Sequence, residues 1–135
     1  MSISIAYIPK GYTAEQKQIM IQKTKQACMK GLGLGVDHSF VFVQEIEPDC
    51  MDEQTKNMKC LFVYTTLGKT LEGKNELCRG FEEACAEAFG DQKGRTIVIF
   101  KEHSDENAGS NGLLRPFNPN YQKAHKMSPH PWWGN

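Results

Sequence analysis

Apolar and polar positions alternate at the start of the chain. Ser2–Ile8 places isoleucine and tyrosine on one side and small residues on the other, and this two-residue period predicts a β-strand. Apolar positions then recur at helical spacing over residues 14–32, preceded by Thr13 as a candidate N-cap. Ser39–Ile46 is rich in Phe and Val, which predicts a second strand, covered on both faces. Residues 2–46 therefore predict a strand–helix–strand unit.

The same pattern returns 57 positions later without a gap. The second copy predicts a strand over 59–66, a helix over 71–89 and a strand over 95–101, and a repeat of this kind is one supersecondary unit used twice. The predicted fold class is α/β (α+β): two tandem β-α-β units in a four-stranded sheet with two helices on one face, related by a near two-fold pseudo-symmetry. The identities are Tyr7/Tyr64, Gly11/Gly68, Thr13/Thr70, Glu15/Glu72, Lys17/Lys74, Ala27/Ala84, Cys28/Cys85, Gly33/Gly90, Val41/Val98 and Glu45/Glu102.

The length predicts a single domain over residues 1–135, made of repeats at 2–46 and 59–103 and a C-terminal tail at 104–135. Within that tail, residues 103–112 read as a loop, and four later prolines exclude a long helix. The pair Trp132-Trp133 favours docking on a neighbouring subunit, because Trp carries a large apolar area.

The sheet face opposite the helices is expected to carry apolar side chains, and an open apolar face of this size predicts an oligomer. The residues expected there, depending on register, are Ser2, Ser4, Phe40 or Phe42, Leu61 and Val63.

Composition and cysteine usage exclude several classes of protein. Sixteen Lys and Arg balance 16 Asp and Glu, so charge-driven binding to nucleic acid or to a membrane surface is not expected. No run approaches the ~20 apolar residues of a membrane span, and no secretory signal is expected. Five cysteines without a CxxC pair suggest reduced thiols in a cytoplasmic protein, with Cys28 and Cys85 buried. His103, Asp105 and Glu106 match no metal motif, so neither a metal nor a cofactor is expected.

The opening Ser2–Lys17 resembles the tautomerase superfamily, whose 4-oxalocrotonate tautomerase branch begins with a strand, a Gly-Arg-Ser/Thr turn and an acidic-Glu-Gln-Lys helix start. Leu67-Gly68-Lys69 and the elements after it are similar to the macrophage migration inhibitory factor branch, and the fused repeat resembles the dehalogenase and decarboxylase branches. The resemblance covers residues 2–103. It implies a homotrimer with active sites at subunit boundaries near the first strand.

The chain departs from the family pattern at the residues that carry its chemistry. Ser2 stands where the resemblance implies an N-terminal proline that acts as base or acid. Tyr12 and Phe40 stand where it implies substrate-binding arginines, and Met29 lies near the position of a histidine used in dehalogenase-type members. Neither the usual base nor the usual carboxylate clamp is therefore expected.

Ser2 and Lys69 are the residues left as candidates for the chemistry. Removal of Met1 would leave a Ser2 α-amine able to act as a weak general base, although an ordinary strand-edge residue with no catalytic role is the more frequent reading of such a serine. Lys69 lies opposite Tyr12 in the repeat and is a candidate carboxylate contact or a solvated turn lysine. Tyr12, Phe40 and Phe100 are candidates for an aromatic pocket wall, with core packing as the alternative for the two Phe.

Two functions remain open from the sequence. The first is a weak or altered keto–enol tautomerase acting on a small carboxylate such as a 2-oxo acid, through the N-terminal amine. The second is a catalytically inactive family member that keeps the fold and acts as a binding or scaffold protein.

Overall fold

The computed structural model describes residues 1–119 of the 135-residue chain. The expectations for Trp132-Trp133 lie outside the described residues. Short 3-10 turns at 36–38, 48–50, 105–107 and 115–117 connect the regular elements. The helices and strands are β1 (Ser2–Pro9), α1 (Ala14–Leu32), β2 (Ser39–Ile46), β3 (Lys59–Thr66), α2 (Leu71–Phe89), β4 (Thr96–His103), β5 (Gly109–Ser110) and β6 (Leu113–Leu114).

Each element of the first unit recurs in the second with both ends shifted by 57 residues. The first residues of β1, α1 and β2 are 2, 14 and 39, and those of β3, α2 and β4 are 59, 71 and 96. The large sheet has the order β2-β1-β3-β4. Its outer pairs are parallel and its central pair, β1 with β3, is antiparallel. The predicted fold class is confirmed, and this strand order is the one expected when a pseudo-two-fold axis passes between β1 and β3.

Equivalent residues begin and end the two helices. The Thr13 hydroxyl accepts the Gln16 backbone N–H at 3.1 Å, and the Gln16 side chain accepts the Thr13 N–H at 2.9 Å, which completes the predicted capping box. The Thr70 hydroxyl caps α2 in the same position. Gly33 and Gly90 end the helices in the left-handed conformation, at φ 66° and 70°, where glycine carries no Cβ penalty.

The core lies between the sheet and both helices. β1 and β3 turn their fully buried side chains towards the helices, and α1 and α2 cover them. The burial predicted for the two repeat-related cysteines is confirmed. The core residues are Ala6, Ile8, Met20, Cys28, Leu32, Leu61, Val63, Leu77, Phe81, Ala84, Cys85 and Ala88.

The opposite face of the sheet is apolar and open, as predicted, but most of the residues expected there were wrong. Ser2, Ser4, Leu61 and Val63 are buried on the helix side, because the small residues of β1 are the ones that leave room for the helices. The apolar side chains that are more than a third exposed on this open face are Ile3, Phe40, Phe42, Tyr64, Ile97 and Ile99.

Two glycines allow the helices to touch. A Cβ on Gly73 would collide with the Gly31 backbone oxygen, and a Cβ on Gly31 would collide with the Gly73 oxygen. We expect Gly73→Ala to lower the free energy of unfolding by about 1–3 kcal/mol, because the helices must separate to admit the methyl group. Gly35→Ala, where a Cβ meets nothing within 4 Å, is the matched control. Equal urea midpoints for the two variants would contradict this packing.

Neither helix within residues 1–119 is long and apolar enough to cross a membrane. All five cysteines lie in the described part of the chain and are free thiols.

Candidate active site

The site lies at the N-terminal end of β1. This strand is central in the sheet, so its first residues are flanked on both sides: Ser2 pairs with Ser39 of β2 and with Thr65 of β3. All three side chains are buried, and within residues 1–119 none of their hydroxyls has a hydrogen-bond partner. A row of unpaired hydroxyls therefore lies on the helix side of the sheet, next to the start of the chain.

A short hairpin follows β4 along the chain, and its first residues lie at the start of β1. β5 and β6 are joined by Asn111-Gly112, whose φ angles of 54° and 87° are both positive, the pattern of a type I′ turn. The Arg115 backbone N–H donates to the Ala108 carbonyl at 2.8 Å. Arg115 Nε also pairs with Oδ1 of the buried Asp105 at 3.0 Å, which ties the two ends of the hairpin segment together.

A cavity of about 230 Å³ opens between β1, β3, the end of β4 and the hairpin. Since one water occupies about 30 Å³ in the liquid, this space corresponds to roughly eight water molecules, enough for the carboxylate end of a small oxo acid. Its lining residues are Met1, Ile3, Tyr64, His103, Asn107, Ala108 and Gly109.

The N-terminal amine at this cavity has an unusual proton affinity. Burial, followed by the positive charges of Arg115 and Lys69, lowers the pKa of the Met1 α-amine from 8.0 to about 5, and Asp105 opposes this in part. The amine is therefore unprotonated at neutral pH, which is the form that accepts a proton.

Lys69 lies in the turn after β3, at the same end of the sheet. Burial and the charge of Arg115 lower the pKa of the Lys69 amine, while Asp105 and Glu102 raise it. Lys69, Arg115 and the N-terminal amine thus lie within electrostatic range of one another. The positive charges of Lys69 and Arg115 near the N-terminal amine make this end of the sheet suited to an anion.

The structure brings two of the five predicted site residues together. Ser2 and Lys69 are at the same end of the sheet. Tyr12 follows β1 at the opposite end, stacked on Phe89 with ring centroids 4.1 Å apart. Phe40 is on the open face, and Phe100 packs towards the helices. Within one chain, Tyr12, Phe40 and Phe100 therefore do not line one pocket.

Tyr12 instead belongs to a buried cluster at its own end of the sheet. Its hydroxyl accepts a hydrogen bond from Lys59 Nζ at 2.7 Å, and the same ammonium donates to Asp91 at 2.8 Å. The Lys59 side chain is fully buried. This cluster joins the first turn of unit one to the first strand of unit two.

No group of three or more His, Cys, Asp or Glu side chains within residues 1–119 is arranged to hold a metal ion. Asp105, one of the metal-ligand candidates considered from the sequence, is paired with Arg115.

Sequence reasoning did not place Arg115, Tyr64, His103 or Asn107 at the active site, and it considered His103 only as a metal ligand. A signal for the hairpin was present, because Asn-Gly is the strongest short hairpin dipeptide and Asn111-Gly112 is followed by two leucines. Reading that segment as a loop removed the reason to place Arg115 beside the first strand.

Solved structures of other proteins share this architecture over most of both chains. A native fused 4-OT is 17% identical with a TM-score of 0.75, and the match covers 83% of this chain and 94% of that one. Malonate semialdehyde decarboxylase is 17% identical with a TM-score of 0.73, covering 90% and 97%. The chain has the tautomerase-superfamily fold. Macrophage migration inhibitory factor from Toxoplasma gondii also shares it, at 14% identity and a TM-score of 0.72, covering 82% and 97%.

No protein-family model and no curated protein sequence matches the chain. The tautomerase fold is thus formed here by a sequence whose two repeated units carry equivalent helix caps.

Proposed function

We propose that this protein is a keto–enol tautomerase of weak or altered activity, acting on a small carboxylate such as a 2-oxo acid. The observation that supports this most strongly is an N-terminal amine with a pKa of about 5 at a small cavity, with Lys69 and Arg115 nearby. A neutral amine abstracts the proton next to the ketone, the two cations hold the carboxylate, and the protonated amine returns the proton to the product.

Ser2 is the residue proposed to carry this amine once Met1 is removed. Its backbone nitrogen is one residue further along β1, between Ser39 and Thr65, where the surroundings are more buried. Burial disfavours the charged form of an amine, so we expect the pKa to stay low. Phe40 remains available to a neighbouring subunit because it is on the open face, whereas Tyr12 and Phe100 take part in packing.

Weak activity follows from how the anion is held. A lysine ammonium is a point charge and cannot make the bidentate hydrogen bonds of an arginine to a carboxylate. The Nε of Arg115 is already paired with Asp105. We expect Lys69→Ala to raise KM for a carboxylate substrate by roughly 10- to 100-fold, the equivalent of one charge-assisted hydrogen bond. Lys93→Ala, at an exposed turn, is the matched control. Steady-state kinetics with phenylpyruvate measures both, and an unchanged KM in Lys69→Ala would exclude Lys69 from the site.

The inactive binding protein is the alternative outcome. It would show saturable binding of the same 2-oxo acid without enolisation at any pH.

We also propose that the protein is a homotrimer in which the open face of the sheet is covered. The exposed apolar side chains on that face support this, and fused 4-OT proteins of the same fold form symmetric and asymmetric trimers. We expect Phe42→Glu to shift the mass in light scattering from trimer towards monomer, because the charge would be buried at the interface. Leu71→Glu, at a helix start 78% exposed, should leave the mass unchanged. A wild-type monomer at micromolar concentration would contradict the assembly.

A further inference from the structure

We propose that the sulfur-bearing side chains between the two repeat units form a binding site for one Cu(I) ion. The residues are Cys50, Met51, Met58 and Cys60, and all four line one cavity of about 440 Å³. This cavity lies between the open face of the sheet and the connector of residues 47–58. The proposal goes beyond the proposed function, because it does not use the N-terminal amine.

Two tight turns fix the connector that carries three of these sulfur atoms. The Cys50 backbone N–H donates to the Glu47 carbonyl at 2.9 Å, and the Met58 N–H donates to the Thr55 carbonyl at 2.9 Å. Cys60 follows on β3, on the face of the sheet away from the helices. The turns therefore fold the two ends of the connector against the strand that supplies the fourth sulfur.

The donor atoms decide which cation fits this cavity. Thiolate and thioether sulfur are soft ligands that favour Cu(I), whereas harder cations prefer carboxylate, carbonyl or water oxygen. Within residues 1–119, no histidine lines the cavity, and its one carboxylate, Asp52, already accepts the Thr55 N–H through Oδ1 at 3.0 Å. Zn²⁺ sites are built from Cys, His and carboxylates. Two thiols are too few for such a site, but two thiols with two thioethers suit Cu(I).

The surroundings of the sulfur atoms provide an entry path and an apolar wall. Cys50 is exposed and Cys60 is partly buried, and both are free thiols. An incoming ion therefore meets the first thiol at the surface and the second further inside, and each thiol loses its proton to solvent as it binds. Tyr7 and Phe62 also line the cavity, with ring centroids 5.4 Å apart and planes at 89°. An apolar shell of this kind limits the access of water to a bound ion.

Transfer of copper from a coloured chelator tests the site. The full-length, reduced protein is titrated without oxygen into Cu(I)–bicinchoninate, and the loss of absorbance measures the copper that the protein takes up. We expect one Cu(I) per chain. Cys50→Ser and Cys60→Ser should each weaken binding by more than about 100-fold, since outer-shell groups alone contribute about 10- to 100-fold. Cys78→Ser is the matched control, because Cys78 is also a partly buried free thiol but lies on α2. No uptake by the wild type, or equal uptake by Cys50→Ser and Cys78→Ser, would overturn the proposal.

The thioethers are tested separately, because thiols alone also bind other metal ions. Met51→Leu combined with Met58→Leu conserves side-chain volume, so the fold should be retained, and the urea midpoint checks this. We expect the double variant to bind Cu(I) roughly 10- to 100-fold more weakly than the wild type. Its affinity for Zn²⁺, measured with zinc alone against a chelating dye, should be unchanged. An unchanged Cu(I) affinity in this variant, or tighter binding of Zn²⁺ than of Cu(I) by the wild type, would overturn the assignment.

Discussion

Moving the N-terminal amine out of its cavity should lower turnover of a 2-oxo acid by about 10²- to 10⁴-fold, the usual contribution of a positioned general base. A Gly-Ser-Gly extension ahead of Met1 achieves this, because the new amine lies beyond the cavity between β1 and the hairpin and regains ordinary hydration. We expect kcat to fall while urea stability is retained. The same tripeptide added at the C-terminus is the control, and comparable turnover in the two proteins would place the base elsewhere.

Ser2→Pro is the matching variant, in which tautomerase activity is expected to increase. Proline is tolerated at the first residue of a strand, and it would supply the ring-locked secondary amine that the family resemblance implies. We expect faster enolisation of phenylpyruvate once Met1 is removed, because the ring-locked amine is a better-positioned base. Intact mass spectrometry establishes which residue carries the amine in each preparation.

Removing the carboxylate that pairs with Lys59 should be the most destabilising single change outside the hydrophobic core. Asp91→Ala is expected to lower the free energy of unfolding by about 3–5 kcal/mol, because it leaves a buried ammonium without its counter-charge. Glu53→Ala, which breaks an exposed pair with Lys56, should cost less than about 1 kcal/mol. Urea denaturation measures both, and equal midpoints for the two variants would contradict this account of the cluster.

The protonation of Lys59 accounts for that difference. Burial lowers the pKa of Lys59, but the hydrogen bonds and charges of Asp91 and Tyr12 outweigh it and leave the pKa above its ordinary value. This stabilisation is fully present below the unfolded pKa of 10.5 and is lost as the pH rises through the folded value. Replacing the whole pair, as in Lys59→Met with Asp91→Leu, should recover much of the stability because no unpaired charge remains.

The fold could be predicted from the sequence because its signals are local and occur twice. The helix ends are set by the N-caps Thr13 and Thr70 and by the left-handed glycines Gly33 and Gly90. Because the two units repeat with one constant shift, the elements of one unit predict those of the other. The faces of the strands could not be assigned in this way. In β1 both faces are uncharged, so alternation shows that there are two faces but not which one meets the helices.

The site depended on contacts between distant parts of the chain. Lys69 was singled out because the repeat aligns it with Tyr12, where the family resemblance implies an arginine, although the Tyr12 turn lies at the opposite end of the sheet. Arg115 belongs to no repeat, and it lies in electrostatic range of Met1 through a hairpin and its pairing with the buried Asp105. Tyr64 and His103, more than 60 positions from Met1 in the chain, line the same cavity as Met1. A sequence pattern does not predict the electrostatic environment of the amine.

The pH dependence of kcat/KM for enolisation of phenylpyruvate tests the central claim most directly. The active form is the neutral amine, so in protein that keeps Met1, kcat/KM should rise as the pH increases through about 5, the pKa of the Met1 amine, and then remain level to at least pH 7. The Gly-Ser-Gly extension should abolish this rise together with the activity. A midpoint near 8, the value of an ordinary α-amine, or the same profile in the extended protein would contradict the claim that the N-terminal amine is the catalytic base.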